Sequence, residues 1–302
     1  MTSRGRAGPD RAEPDRAEPE LALRRGVAVY RDVVFARPVG FRPLSLDLYV
    51  PPRPAQALCL YLHGGGWRVG RRTDGPGRAR NWSPSFFEQV AAKGLAVASI
   101  DYRLSGEAVF PAQSEDVAEA AGFLAKHRGD YGITTARTVA WGVSAGAQLA
   151  ALLALTEAGG APGLGGADTV DAVVCWYAPT DLGALADDID DAGGTSERGP
   201  ESRESQLLGA PPAQRPDLAA AASPARFAHP GAPPFLLLHG AADRLVPPRQ
   251  SQRLADALTA TGATATVELV AGATHMFPEL DDDATRRVVE RSAGFLLDPA
   301  SG

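Results

Sequence analysis

Two cysteines among 302 residues are too few to staple a secreted fold. Cys59 and Cys175 each sit inside an apolar run, which fits small buried hydrophobes and leaves a reducing, cytoplasmic setting as the expectation. No apolar stretch is long enough to cross a bilayer, so no membrane partner is expected. Residues 1–20 hold no apolar core and do not read as a secretion signal. An excess of basic residues is also missing. Lys and Arg total 30 against 36 Asp and Glu, a net charge of -6, which argues against a nucleic-acid partner. Histidine is scarce at five residues, so chemistry that needs an imidazole has few places to sit. What is present is 44% hydrophobic and 22% charged, the balance of a globular protein.

Residues 1–24 carry the repeat Pro9-Asp10-Arg11-Ala12-Glu13 and Pro14-Asp15-Arg16-Ala17-Glu18. Proline at that spacing among mixed charges supports neither helix nor core, so a disordered tail is expected there. Order is expected from near Val27, with residues 25–299 forming one domain. Apolar runs at 58–62, 95–100, 139–141, 172–177, 235–238 and 266–270 read as strands covered on both faces. Residues 27–35 and 44–50 read as an antiparallel pair ahead of them. Helical stretches fall between at 86–93, 116–127, 144–156, 251–261 and 284–296. The alternation predicts an α/β fold with a mainly parallel sheet flanked by helices. Residues 183–222 interrupt it with Asp, Gly, Ser and Pro and read as a cap or lid insertion. Within them Asp187, Asp188, Asp190 and Asp191 lack the glycine and distal glutamate of a calcium loop. A solvated acidic loop and no metal are expected.

Gly142-Val143-Ser144-Ala145-Gly146 joins an expected strand to an expected helix. Glycines two residues either side of Ser144 permit a sharp turn that lifts its hydroxyl above the sheet and aims helix N–H groups beside it. A serine hydroxyl becomes nucleophilic only when a base takes its proton and an anion orients that base. His275, in the loop after the last strand, is the candidate base, and Asp243, after the strand at 235–238, is the candidate anion. In a parallel sheet all three emerge on one rim, in the chain order Ser, Asp, His. His63-Gly64-Gly65-Gly66-Trp67 opens on that rim too. The amides of Gly65 and Gly66, with that of Ala145, would form an oxyanion hole, where one donor is worth on the order of 3 kcal/mol. Arg103 is expected to pair with Asp116 as structure, and Trp67 and Trp176 to line the substrate pocket or pack as core.

These residues resemble the α/β-hydrolase superfamily. More narrowly they are similar to its hormone-sensitive-lipase-like carboxylesterases, small bacterial feruloyl or acetyl esterases, and kynurenine formamidase. The matching pieces run from His63-Gly64-Gly65-Gly66-Trp67 through Asp101-Tyr102-Arg103-Leu104, Phe110-Pro111-Ala112-Gln113 and the serine turn. Ala222-Ser223-Pro224, the segment His239 to Pro247 and Gly272-Ala273-Thr274-His275 complete them. The resemblance implies Ser144 as nucleophile, His275 as base, Asp243 as its partner, a cap over the pocket, and no cofactor. Ala147 departs from the pattern, where many relatives carry glycine, and its methyl is expected to narrow the pocket. The expected substrate is a small or medium uncharged carboxylic ester. The same triad on a formamide, a peptide amide or an acyl acceptor stays open, as does a homodimer. A ligand receptor with lost chemistry is disfavoured by the intact triad and glycine loop.

Overall fold

Continuous apolar runs become the middle of a nine-stranded sheet in the computed structural model, which describes residues 20–159 and 170–301. The strands are β1 (Glu20–Arg24), β2 (Val27–Ala36), β3 (Leu44–Val50), β4 (Ala57–Leu62), β5 (Leu95–Ile100), β6 (Thr138–Val143), β7 (Val170–Trp176), β8 (Phe235–Gly240) and β9 (Ala265–Val270). Their spatial order is β1-β2-β3-β5-β4-β6-β7-β8-β9. From β5 to β9 every neighbour pair is parallel, while β1, β2 and β3 join by antiparallel pairing. The chain crosses back over the sheet through α1 (Phe86–Ala91), α2 (Ala112–His127), α3 (Ala145–Gly159) and α7 (Arg249–Ala260), with α4 (Leu185–Asp191), α5 (Arg203–Leu208) and α6 (Pro216–Ala221) between β7 and β8, and α8 (Asp282–Leu297) follows β9 and packs on the sheet.

Alternation along each strand splits the core into two layers. In β4, Leu58, Leu60 and Leu62 pack with α2, α3 and α7, whereas Ala57, Cys59 and Tyr61 pack with α1 and α8. Both faces of the central strands are therefore dry, which is why they read as unbroken apolar runs. The run at 266–270, expected to be covered on both faces, is instead the edge strand β9, with no buried residue and Leu269 56% exposed. Both thiols are free and buried. Among the described residues no helix is long and apolar enough to cross a membrane.

Order begins earlier than expected. Glu20–Arg24 was assigned to the tail, yet it pairs with β2 through a two-residue turn, Arg25-Gly26, in which both residues have positive φ (51° and 87°). That is the backbone a tight hairpin needs. The rest of the expected tail, residues 1–19, lies outside the described residues. The acidic cluster expected to be a solvated loop within residues 183–222 is instead mostly helical, in α4. The segment contains three short helices, and the acidic run within it is only partly solvated. Asp188 is buried, with both carboxylate oxygens 2.7 Å from Arg253.

Candidate active site

The turn from β6 into α3 is where the chain tolerates least. Ser144 is held at φ 53°, a left-handed conformation that non-glycine residues seldom adopt. The glycines around it have no room for a side chain. A Cβ on Gly146 would lie 2.2 Å from the Leu62 carbonyl oxygen, and one on Gly142 would lie 2.2 Å from that of Gly146. The helix start is thus pressed onto the end of β4. The amide of Ser144 donates to the Trp176 carbonyl (2.9 Å), and its own carbonyl accepts from Ala147 and Gln148, opening the helix.

Three strand ends then converge. Ser144 Oγ lies 3.0 Å from His275 Nε2, and His275 Nδ1 lies 2.7 Å from Asp243 Oδ2. Asp243 follows β8, and its other oxygen accepts from the amides of Leu245 (2.9 Å) and Val246 (3.0 Å). Burial pushes its carboxyl up, but hydrogen bonds from His239 and His275 outweigh it and hold the group far below the usual carboxylate range. The loop carrying His275 is fixed by Glu279, which accepts from the amide of Thr274 (2.9 Å) and from its hydroxyl (2.5 Å). The His275 ring meets Tyr177 edge-on at 4.7 Å.

Beside Ser144 runs the glycine loop after β4. A Cβ on Gly64 would stand 3.3 Å from the Ser144 Cβ, so the two backbones are in contact. The amides of Gly65, Gly66 and Ala145 have no hydrogen-bond partner among the described residues, and all three residues line the cavity that holds Ser144 and His275. Burial lowers the pKa of His63, whose ring stacks on Tyr102 (4.4 Å) and whose carbonyl accepts from the Tyr102 hydroxyl (2.9 Å). This anchors the base of the loop.

The cavity is about 960 Å³. Its floor is Ser144 and the glycine loop, and its far wall is the segment from α4 to α6. Leu185, Ile189, Arg203 and Glu204 from that segment face it, along with Leu245 and Met276 from the two rim loops. None of these had a signal in the sequence, because each reaches the cavity through tertiary folding of short helices or loops.

Some expectations change. Trp176 is not on the cavity. Its position in β7 points it to the α8 side, where it packs on Trp141 and Phe277 and its indole donates to Ser292 (2.9 Å). Trp67 does line the cavity but is only 2% exposed, its indole donating to Gln148 (3.1 Å), so it shapes the wall from behind. Ala147 does not narrow the pocket either, since it is fully buried under the sheet against Cys175. Arg103 forks onto Asp116 as expected, and Asp101 is occupied by Arg72. His239 bonds locally, to Ser251 and Val246.

The BD-FAE family model matches residues 46–258. The chain belongs to the BD-FAE family. It is 30% identical to the esterase LipQ of Mycobacterium tuberculosis over 282 residues, which is 90% of this chain and 63% of LipQ. It is 27% identical to a probable isoprenylcysteine alpha-carbonyl methylesterase, ICMEL1 of Oryza sativa subsp. japonica, covering 82% of this chain and 57% of that one. The chain thus spans less than two thirds of the length of these curated relatives. Among solved structures, a truncated carbohydrate esterase from gut microbiota superposes with a TM-score of 0.72 at 25% identity, covering 89% of this chain and 96% of that chain. Esterase Est2 of Thermogutta terrifontis shares the fold, with a TM-score of 0.67 at 22% identity over 95% of this chain and 96% of its own. With the sheet order above, this makes the architecture an α/β-hydrolase fold, as the motifs implied.

Proposed function

We propose that the chain hydrolyses carboxylic esters through an acyl-enzyme on Ser144. One observation carries the reading: a hydroxyl, an imidazole and a buried carboxylate stand in line, 3.0 Å and 2.7 Å apart. His275 Nε2 takes the hydroxyl proton as Ser144 Oγ attacks the ester carbonyl. Asp243 keeps Nδ1 protonated and faces the imidazolium that forms. The tetrahedral oxyanion is received by the free amides of Gly65, Gly66 and Ala145. As the C–O bond breaks, Nε2 returns the proton to the departing alcohol. Water then enters, gives its proton to His275 and attacks the acyl carbon, after which Ser144 Oγ leaves with that proton. Every proton is moved by His275, so no cofactor enters the sequence.

The esterase names of the relatives support ester cleavage, and their variety, from an acetyl esterase to a methylesterase, leaves leaving group and acyl chain to the cavity. A reducing cytoplasm is the setting we propose, since both thiols are free and buried. The test is turnover of p-nitrophenyl butyrate by the wild type and by Ser144→Ala. We expect a loss on the order of 10⁶ in kcat, together with loss of fluorophosphonate labelling. Equal turnover by both proteins refutes the assignment.

A further inference from the structure

Many guanidiniums among the described residues meet a carboxylate. Arg72 bridges Asp32, Asp47 and Asp101, Arg103 forks onto Asp116, and Arg253 forks onto Asp188. On the wall of the cavity around Ser144 that habit breaks. Arg68 and Arg203 line it, both half-buried, and neither guanidinium has a hydrogen-bond or ion-pair partner among the described residues. A half-buried cation with no acceptor is uncommon, because desolvation without compensation is costly.

Arg203 is also placed where it matters. It projects from α5 across the glycine loop, so close that a methyl on Gly66 would come within 2.6 Å of its Cδ and 3.2 Å of its Nε. Its guanidinium therefore sits at the edge of the oxyanion site assigned above.

The remaining charges on this wall set the size of the missing partner. Arg198 is held by Asp187 (2.9 Å) and Asp190 (2.6 Å), and Arg226 faces Asp181 at 3.5 Å. Two carboxyls, Glu197 and Glu204, share the wall, neither in an ion pair among the described residues; burial pushes that of Glu204 up, and the charges of Arg203 and Arg68 pull it partly back. With Arg80, which also lines the cavity, exposed and without a partner among the described residues, three guanidiniums stand against these two carboxyls, a small positive excess. It suits one negative charge, whereas a phosphate dianion would sit against the two glutamates. A planar carboxylate also matches the two-pronged donor face of a guanidinium. With the whole chain at -6, attraction of an anion has to come from contact and not from the long-range field.

We propose that this pocket selects esters that carry a carboxylate, gripped by Arg203 and Arg68. The inference rests on the acyl-enzyme reading and replaces the uncharged substrate expected from the sequence.

Two matched pairs of esters test it at pH 8. 4-Acetoxybenzoate against its methyl ester places the charge on the leaving group, and monoethyl adipate against diethyl adipate places it on the acyl group. In at least one pair the wild type should favour the anion by about tenfold or more in kcat/KM, the worth of one charge-assisted contact. Arg203→Gln should remove most of that preference, and Arg203→Lys should retain part of it. The ratio is read within each protein, so a loss of folded fraction or of general activity cancels. Absence of preference in both wild-type pairs overturns the inference, as does a preference that survives the Arg203→Gln, Arg68→Gln double variant. The neutral esters keep the two readings apart. Cleavage of them through Ser144 with no anion preference sinks only the carboxylate inference, whereas failure to cleave any ester or to label Ser144 sinks the acyl-enzyme reading.

Discussion

His239 Nε2 stands 3.4 Å from Asp243 Oδ2 and 2.7 Å from the Val246 carbonyl oxygen, so a second, fully buried histidine supports the carboxylate that faces His275. A carbonyl only accepts, so Nε2 is the donor, leaving Nδ1 to the Ser251 hydroxyl 2.7 Å away. His239 is a positioning residue. His239→Ala should lower kcat by about tenfold or more, the worth of one hydrogen bond near a charge. It should also leave Asp243 more basic and its grip on the imidazolium tighter. The acidic limb of kcat/KM against pH should therefore move to higher pH, which a merely looser fold would not cause. His239→Gln, which keeps a donor, should recover part of both effects.

Asp243→Asn tests the other side of that carboxylate. The amide oxygen can still accept from Leu245 and Val246, as Asp243 Oδ1 does now, so the loop should hold. Its NH₂ group, however, would face the Nδ1 proton of His275, donor against donor. The imidazole escapes by moving that proton to Nε2, where it can no longer take one from Ser144. We expect a loss on the order of 10⁴ in kcat on p-nitrophenyl butyrate, with thermal unfolding little changed.

Gly146→Ala should be far more damaging than its chemistry suggests. The new methyl would lie 2.2 Å and 2.4 Å from the carbonyl oxygens of Leu62 and His63, both backbone atoms that cannot swing away. Either α3 lifts from β4 or the glycine loop shifts, and both disturb Ser144. Urea unfolding should show a loss of about 3 kcal/mol or more, with activity abolished. Gly106→Ala, with no atom within 4 Å of the added carbon, is the control and should change little.

The convergence of Ser144, Asp243 and His275 was legible because each follows a strand of one parallel set, and parallel strands put their C-terminal ends on one rim. Trp176 was not legible, because facing is a matter of parity. One residue earlier, Cys175 packs on the α3 side, while Trp176 turns to α8. The strand Glu20–Arg24 merged with the tail because Leu21 and Leu23 remain 59% and 77% exposed, like tail residues. The signal that could have found it is the glycine of the Arg25-Gly26 turn ahead of a clear strand. The short helices of residues 183–222 run six or seven residues each, too few for a period to register. Arg203 carried no signal at all, since what distinguishes it is the lack of a partner, a property only of the folded chain.

Asp188 shows how far a charge run can mislead. Among four nearby aspartates it alone is buried, accepting from both prongs of Arg253 and from Gln250 (2.7 Å), which ties α4 to α7 beneath the cavity. Burial pushes its carboxyl up, and the hydrogen bonds from Arg253 and Gln250 outweigh that, so the folded group sits below its ordinary value. A carboxyl lowered on folding stabilises fully above the ordinary aspartate range, and the stabilisation fades as the pH falls through that range and below. Asp188→Ala should therefore cost about 2 kcal/mol at pH 7, reduced from a fully buried pair because Arg253 is partly open to water. By urea unfolding, the gap to the wild type should narrow steadily once the pH drops below about 4. Asp187→Ala, on an exposed side chain of the same helix, should show neither the cost nor the pH dependence. A gap that is constant with pH would mean that the packing of α4, and not its buried charge, holds the segment over Ser144.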